Sequence, residues 1–250
     1  MKLIQLNVWQ GRIIAHAARF LKQEDPDILC LQEVYTAEQP VPSWDAFSAM
    51  EIIREALPHK YLFFAPLFSF KVAGRPVTMG NAILSRFPIH DEFVEFTNDH
   101  YVEDAALEDI GVNIRNYQAC EIELPGNKRL SLINHHGLWS RDQNGSQTSR
   151  ENMEVVKQKA DTMPRPLIVT GDMNVTPDSE TMKVFDGSLE NLTATYKLPT
   201  TLSQLAKVFV CNNMIPCDNT LISSGVHVRS YVASDYIVSD HKPVILEFEV

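Results

Sequence analysis

The stretch Leu167-Ile168-Val169-Thr170-Gly171-Asp172-Met173-Asn174 decides how this chain is read. Four β-prone residues in succession describe a strand buried on both faces, which Gly171 is expected to break. Asp172 and Asn174 follow two residues apart, so extended backbone turns both side chains to the same side. A carboxylate beside a carboxamide at the mouth of a buried strand adds little to packing. It does suit a pair of groups that hold a water and a phosphoryl oxygen. Alone, such a segment is more often a plain turn, and its meaning depends on whether other strands end in the same way.

Several do. Lys2 to Val8 alternates apolar and polar and ends at Asn7-Val8-Trp9. Ile13, Ala17, Phe20 and Leu21 have helical spacing over residues 12–24, stopped by Pro26, and Asp27 to Glu33 is a second buried strand ending in a carboxylate. A helix is expected over 46–57, and the aromatic run Tyr61 to Phe70, interrupted by Pro66, reads as strand plus core-facing loop. Gly80 to Ser85 is a strand, with Ile89 to Phe96 as its hairpin partner across Arg86-Phe87-Pro88. Residues 98–109 are acidic and irregular. Ile114 to Leu124 and Arg129 to Asn134 are antiparallel strands joined at Pro125-Gly126-Asn127. A helix over 149–161 precedes the opening stretch, weak periodicity follows over 178–206, and the end returns to strands at 218–222, 226–232 and 244–248. Strands arriving in hairpins with few helices between them predict mixed sheets, packed face to face with helices outside.

With 250 residues, 44% of them hydrophobic, no internal repeat and no linker, residues 1–250 read as a single domain. The formal charge of -10 argues against an extended basic face gripping many phosphates, and an acidic metal site would contribute to it. Cys30 and Cys120 lie in apolar runs as buried free thiols. Cys211 and Cys217, with no His or Cys pair nearby, have poor zinc spacing. Free thiols, the absence of a basic-then-apolar leader after Met1 and the lack of a long apolar span predict a cytoplasmic monomer without stable membrane insertion.

Asn7, Glu33, Asn81, His136, Asp172, Asn174, Asp218, Asp240 and His241 all fall where apolar strands stop, as one rim building one site would require. The segments carrying them are Leu6-Asn7-Val8-Trp9, Leu31-Gln32-Glu33-Val34, Gly80-Asn81-Ala82-Ile83-Leu84-Ser85-Arg86, Asn134-His135-His136, Gly171-Asp172-Met173-Asn174 and Ser239-Asp240-His241-Lys242-Pro243. In this order they resemble the endonuclease/exonuclease/phosphatase superfamily of DNase I-like nucleases, AP endonucleases, neutral sphingomyelinases and inositol-phosphate 5-phosphatases. The resemblance implies an α/β fold, a four-layered sandwich of two mixed sheets, and metal-dependent hydrolysis of phosphate esters. It implies that Glu33 and Asp240, with Asn7, hold Mg²⁺, for which Mn²⁺ is an alternative. Asp172 would orient or deprotonate the attacking water and Asn174 would hold it or a phosphoryl oxygen. His241, kept cationic by Asp218, would donate to a non-bridging oxygen, and His136 would stabilise transition-state charge. The family's Asn-x-His spacing favours His136 over His135. Asp235 lies too close to Asp240 for a strand to intervene, which favours Asp218 as the partner of His241.

The substrate is less legible. A phosphodiester in a nucleic acid, a nucleotide or a lipid head group is the expectation, with a phosphomonoester or a sphingomyelinase-like activity as alternatives and a noncatalytic binding module as the reading of another class. Residues 200–217 lack the Trp-rich stretch usual in AP endonucleases, and Tyr101 and Tyr117 have no matching motif. Trp139 is placed to stack on a base or to line an apolar wall, and Arg141, Arg150 and Lys242 are candidate phosphate contacts alongside Asn81.

Overall fold

In the computed structural model, which describes residues 1–39, 41, 44–106, 113–209 and 213–250, the chain opens with β1 (Lys2–Asn7), α1 (Ile14–Glu24), β2 (Ile28–Thr36), α2 (Ala49–Ala56), β3 (Tyr61–Val72) and β4 (Arg75–Ser85). It continues with β5 (Ile89–Asn98), β6 (Arg115–Leu124), β7 (Lys128–His136), α3 (Gln147–Thr162) and β8 (Leu167–Asp172). The last elements are β9 (Glu190–Asn191), α4 (Leu192–Thr195), α5 (Gln204–Phe209), β10 (Asp218–Ile222), β11 (His227–Ala233) and β12 (Val244–Glu249). Cys211 and residues 107–109 of the acidic stretch lie outside the described residues.

One six-stranded sheet has the order β11-β12-β1-β2-β4-β3 and the other β5-β6-β7-β8-β10-β9. Each contains a parallel pair joined by a helix, β1 with β2 and β7 with β8, and the remaining pairs are antiparallel. The parallel pairs matter for function. They bring the ends of β1 and β7 to the same rim as the late residues of β2 and β8, so Asn7 lies opposite Gln32 and His136 opposite Asp172. β10 runs antiparallel to β8 and begins at that rim, with Asp218 opposite Asp172.

Alternation along the strands builds the layers. Leu3, Ile28, Cys30, Leu132 and Ile168 pack between the sheets. Ile4, Leu6, Leu29 and Leu31 turn the other way onto α1 and α2, against Ala17, Leu21, Met50 and Ile53. Ile133 and Val169 likewise meet Met153, Val156 and Ala160 of α3. Burial on both faces explains the near-continuous apolar runs, and the result is the four-layered α/β sandwich that the sequence implies.

Between the sheets, the packing turns polar on the way to the rim. Gln5 Nε2 donates to Gln32 Oε1 and to Asp218 Oδ1, both at 2.8 Å. Gln32 Nε2 donates to Asn134 Oδ1 at 2.6 Å, and Asn134 donates to Gln118 Oε1 at 3.0 Å. Buried amides bonded to one another in this way rigidify the contact between the sheets, although Gln5 Oε1 is left without a partner.

Four local expectations change. β5 does not form a hairpin with β4: both edges of β4 are taken by β2 and β3, and the chain crosses to the second sheet, where Ile89 pairs with Ile122. Pro66 does not break β3, because β3 is an edge strand whose register shifts between Pro66 and Phe68, so the missing N–H costs no ladder bond inside the sheet. Gly171 does not end β8. At φ +151°, an added Cβ would lie 1.8 Å from the His135 carbonyl, so glycine permits the close approach of β7 to β8. Glu33 does not end β2, which continues to Thr36. Glu33 sits at φ +55° within a register shift between Leu31 and Val34, a bulge that re-aims its side chain.

Candidate active site

The rim opens into a cleft of about 760 Å³ lined by Asn7, Glu33, His136, Asp172, Asn174, Asp240 and His241. Trp139 and Arg141 also line it. Three of the expected substrate contacts, Asn81, Arg150 and Lys242, do not. Asn81 is wholly buried and bridges the sheets, its amide donating to Asn116 Oδ1 at 2.9 Å. Arg150, on α3, faces Glu180 at 3.8 Å. Lys242 pairs with exposed Asp235 at 2.8 Å, whereas His241 pairs with Asp218.

Asp172 is the most heavily held carboxylate in the cleft. Its Oδ2 accepts from Asn7 Nδ2 at 3.0 Å, and its Oδ1 accepts from the Asn174 backbone N–H at 3.0 Å. Burial, opposed by His241 and reinforced by the charge of Asp218, pushes its pKa up to about 6. Asn174 adopts φ +58°, and its side-chain amide donates to the Gly137 carbonyl at 3.0 Å.

The two cleft histidines differ in charge. His241 Nδ1 donates to Asp218 Oδ2 at 2.8 Å, and its Nε2 lies 3.5 Å from Asp172 Oδ2. Burial works against its charge, but the carboxylates of Asp218, Asp172 and Asp240 outweigh it and hold the imidazolium well above the usual range. His136 is driven the opposite way, first by burial, then by the positive charge of Arg115 and by the neighbouring His135 and His241 rings, so it stays neutral. Its Nε2 lies 3.7 Å from Asp172 and 3.9 Å from Glu33. His135, one residue earlier, turns away from the cleft and donates from Nδ1 to the Asn116 carbonyl at 3.1 Å.

Glu33 and Asp240 fit a hard cation. Burial raises the pKa of both, and the Asp240 charge raises Glu33 further, as expected of two oxygen donors crowded together out of water. Asn7 Oδ1 already accepts from the Trp9 N–H at 2.9 Å, so it can join such a site only through its second lone pair.

Arg115 and Cys217 stand out among the cleft residues that sequence reading missed. Arg115 is a buried guanidinium whose Nε donates to the Gly137 carbonyl at 2.7 Å, and its charge acts on both Glu33 and Asp172. The signal was present, since an antiparallel β6–β7 pair places the start of β6 beside the end of β7. Cys217, set aside for its spacing, also lines the cleft.

The sequence profile of the Endonuclease/Exonuclease/phosphatase family matches residues 4–241. No curated protein matches the chain. Among solved structures, an endonuclease/exonuclease/phosphatase from Beutenbergia cavernae DSM 12333 is 15% identical, with a TM-score of 0.74 over 100% of this chain and 71% of that one. A mannosyl-6-phosphatase of Bacteroides thetaiotaomicron VPI-5482 is 19% identical, with a TM-score of 0.72 over 100% of both chains. The human Nocturnin catalytic domain, solved with a bound sulfate anion, is 17% identical, with a TM-score of 0.68 over 100% of this chain and 93% of that one. These likenesses are of fold. With a profile match that runs from β1 to the His241 that closes the cleft, the chain belongs to the Endonuclease/Exonuclease/phosphatase family.

Proposed function

We propose that this protein is a Mg²⁺-dependent phosphoesterase that hydrolyses a phosphodiester by attack of an activated water. The observation that supports this most is the meeting, in one cleft, of a base-like Asp172, a cationic His241 and a neutral His136 beside the paired carboxylates Glu33 and Asp240. Glu33 and Asp240, with Asn7, would hold the cation, which neutralises charge on the phosphoryl oxygens when bound.

The chain's own groups divide the remaining work. Asp172, fixed by Asn7 and the Asn174 N–H, accepts the proton of the attacking water, and a pKa near 6 suits that task at neutral pH. His241 Nε2 donates to a non-bridging oxygen while Asp218 fixes the ring and its charge. His136, neutral, offers a second hydrogen bond to the developing negative charge. Arg115 adds a buried positive charge to the same field.

The test compares bis-p-nitrophenyl phosphate with p-nitrophenyl phosphate, each with Mg²⁺, Mn²⁺ and EDTA. Faster turnover of the diester, abolished by EDTA, is expected. Turnover of neither ester with either cation would refute the reading. Preference for the monoester would move the assignment to a phosphatase.

A further inference from the structure

Cys217 has no role in this chemistry, yet the fold places it beside two groups that do. It lies directly before Asp218, at the start of β10, and β10 pairs with β8 so that Asp218 faces Asp172. One ligand atom each of Asp172, Cys217 and His241 lie within 4.8 Å of one another, and all three residues are buried and line the cleft. A carboxylate oxygen, a thiol sulfur and an imidazole nitrogen make a donor set unlike the all-oxygen pair Glu33 and Asp240.

We infer that Asp172, Cys217 and His241 form a binding site for a thiophilic divalent cation such as Zn²⁺ or Cd²⁺, separate from the hard-cation site, and that its occupation blocks the enzyme. Three protein ligands with a fourth position open to the cleft is the usual arrangement of an accessible zinc site. Thiolate and imidazole select Zn²⁺ over Mg²⁺, which prefers oxygen. The supporting contacts are already in place. Asp218 accepts from His241 Nδ1 at 2.8 Å, which leaves Nε2 as the ligand atom and fixes the ring, the carboxylate–histidine pairing that second-shell carboxylates provide at zinc sites. Asn7 and the Asn174 N–H hold Asp172 in the same way. On coordination the Cys217 thiol, directed at Asp218 Oδ2 at 3.7 Å, and the His241 imidazolium at Nε2 each give up a proton to solvent.

Cation binding is independent of the phosphoesterase reading; only the inhibitory consequence rests on it, because the cation would occupy both Asp172 and His241. The test therefore begins with a readout that needs no turnover. Co²⁺ added to the wild-type protein is expected to give a thiolate-to-metal charge-transfer band in the near ultraviolet. Cys217→Ser and Cys217→Ala should lose the band and bind Co²⁺ at least ~10-fold more weakly, while Asp172→Asn should keep it at reduced affinity. Far-UV circular dichroism shows whether each variant is folded. Absence of the band in wild type, or a band unchanged in both Cys217 variants, overturns the site. In the turnover assay at saturating Mg²⁺, the Zn²⁺ concentration that halves the wild-type rate should rise at least ~10-fold in Cys217→Ser. An unchanged value overturns the inhibitory consequence. A protein that shows the band but no turnover fails the proposed function and not this inference.

Discussion

Adjacent residues of β7 carry opposite consequences when mutated. His136 points into the cleft, so His136→Ala should lower kcat by ~100-fold or more, the scale of losing a transition-state donor. His135→Ala should leave kcat within a few-fold and appear instead as lost stability; the reverse order in steady-state kinetics would place the wrong histidine in the site. The Asp218–His241 pair acts as a unit. Its raised histidine pKa means that activity needing the imidazolium persists well above the ordinary value of ~6.5. Asp218→Asn removes the charge that sustains it, so the alkaline limb of the pH–rate profile should move to lower pH. Adding His241→Ala to Asp218→Asn should then cost much less than the sum of the separate losses. Additive losses with an unmoved limb would break the pairing.

At the level of strands, the close approach of β7 and β8 rests on Gly171. Gly171→Ala combines a positive φ with a Cβ 1.8 Å from the His135 carbonyl, so it should destabilise the fold by ~3 kcal/mol or more. Gly126→Ala, in a turn with open space around it, should cost only ~1 kcal/mol. Urea denaturation of the two variants checks the contrast. The positions of most strands along the chain were legible because alternation and turn residues are local signals, and the rim was legible because polar residues fall where apolar runs stop. What escaped depends on distant parts of the chain. The Glu33 bulge is set by pairing with β4, the crossing to β5 depends on which edges are free, and Asn81 is claimed by Asn116 across the sheet interface. Cys217 acquires neighbours only when β10 docks beside β8.

For the whole molecule, the buried His135 ties stability to pH. Burial above all holds its pKa down at about 4, against an unfolded value of 6.5. Above 6.5 both states are neutral; as pH falls, the unfolded chain takes up the proton first, so stability drops progressively from 6.5 down through about 4. The loss from this group between pH 7 and pH 5 amounts to ~2 kcal/mol. Urea midpoints across that range should slope less steeply in His135→Gln than in wild type, whatever the absolute stability of the variant.

The placement of β12 between β1 and β11 has a consequence in time. β1 is made long before β12, so one of its edges stays unpaired until residues 244–249 have been synthesised. Asp240 and His241 arrive just before them. Until then the emerging chain carries an open strand edge and a cleft that lacks Asp240 and His241, exposed to any passing β-strand or chaperone. The segment that closes the sheet follows directly on the one that delivers Asp240 and His241, so a completed cleft and a protected strand edge are acquired together, once β12 has been made.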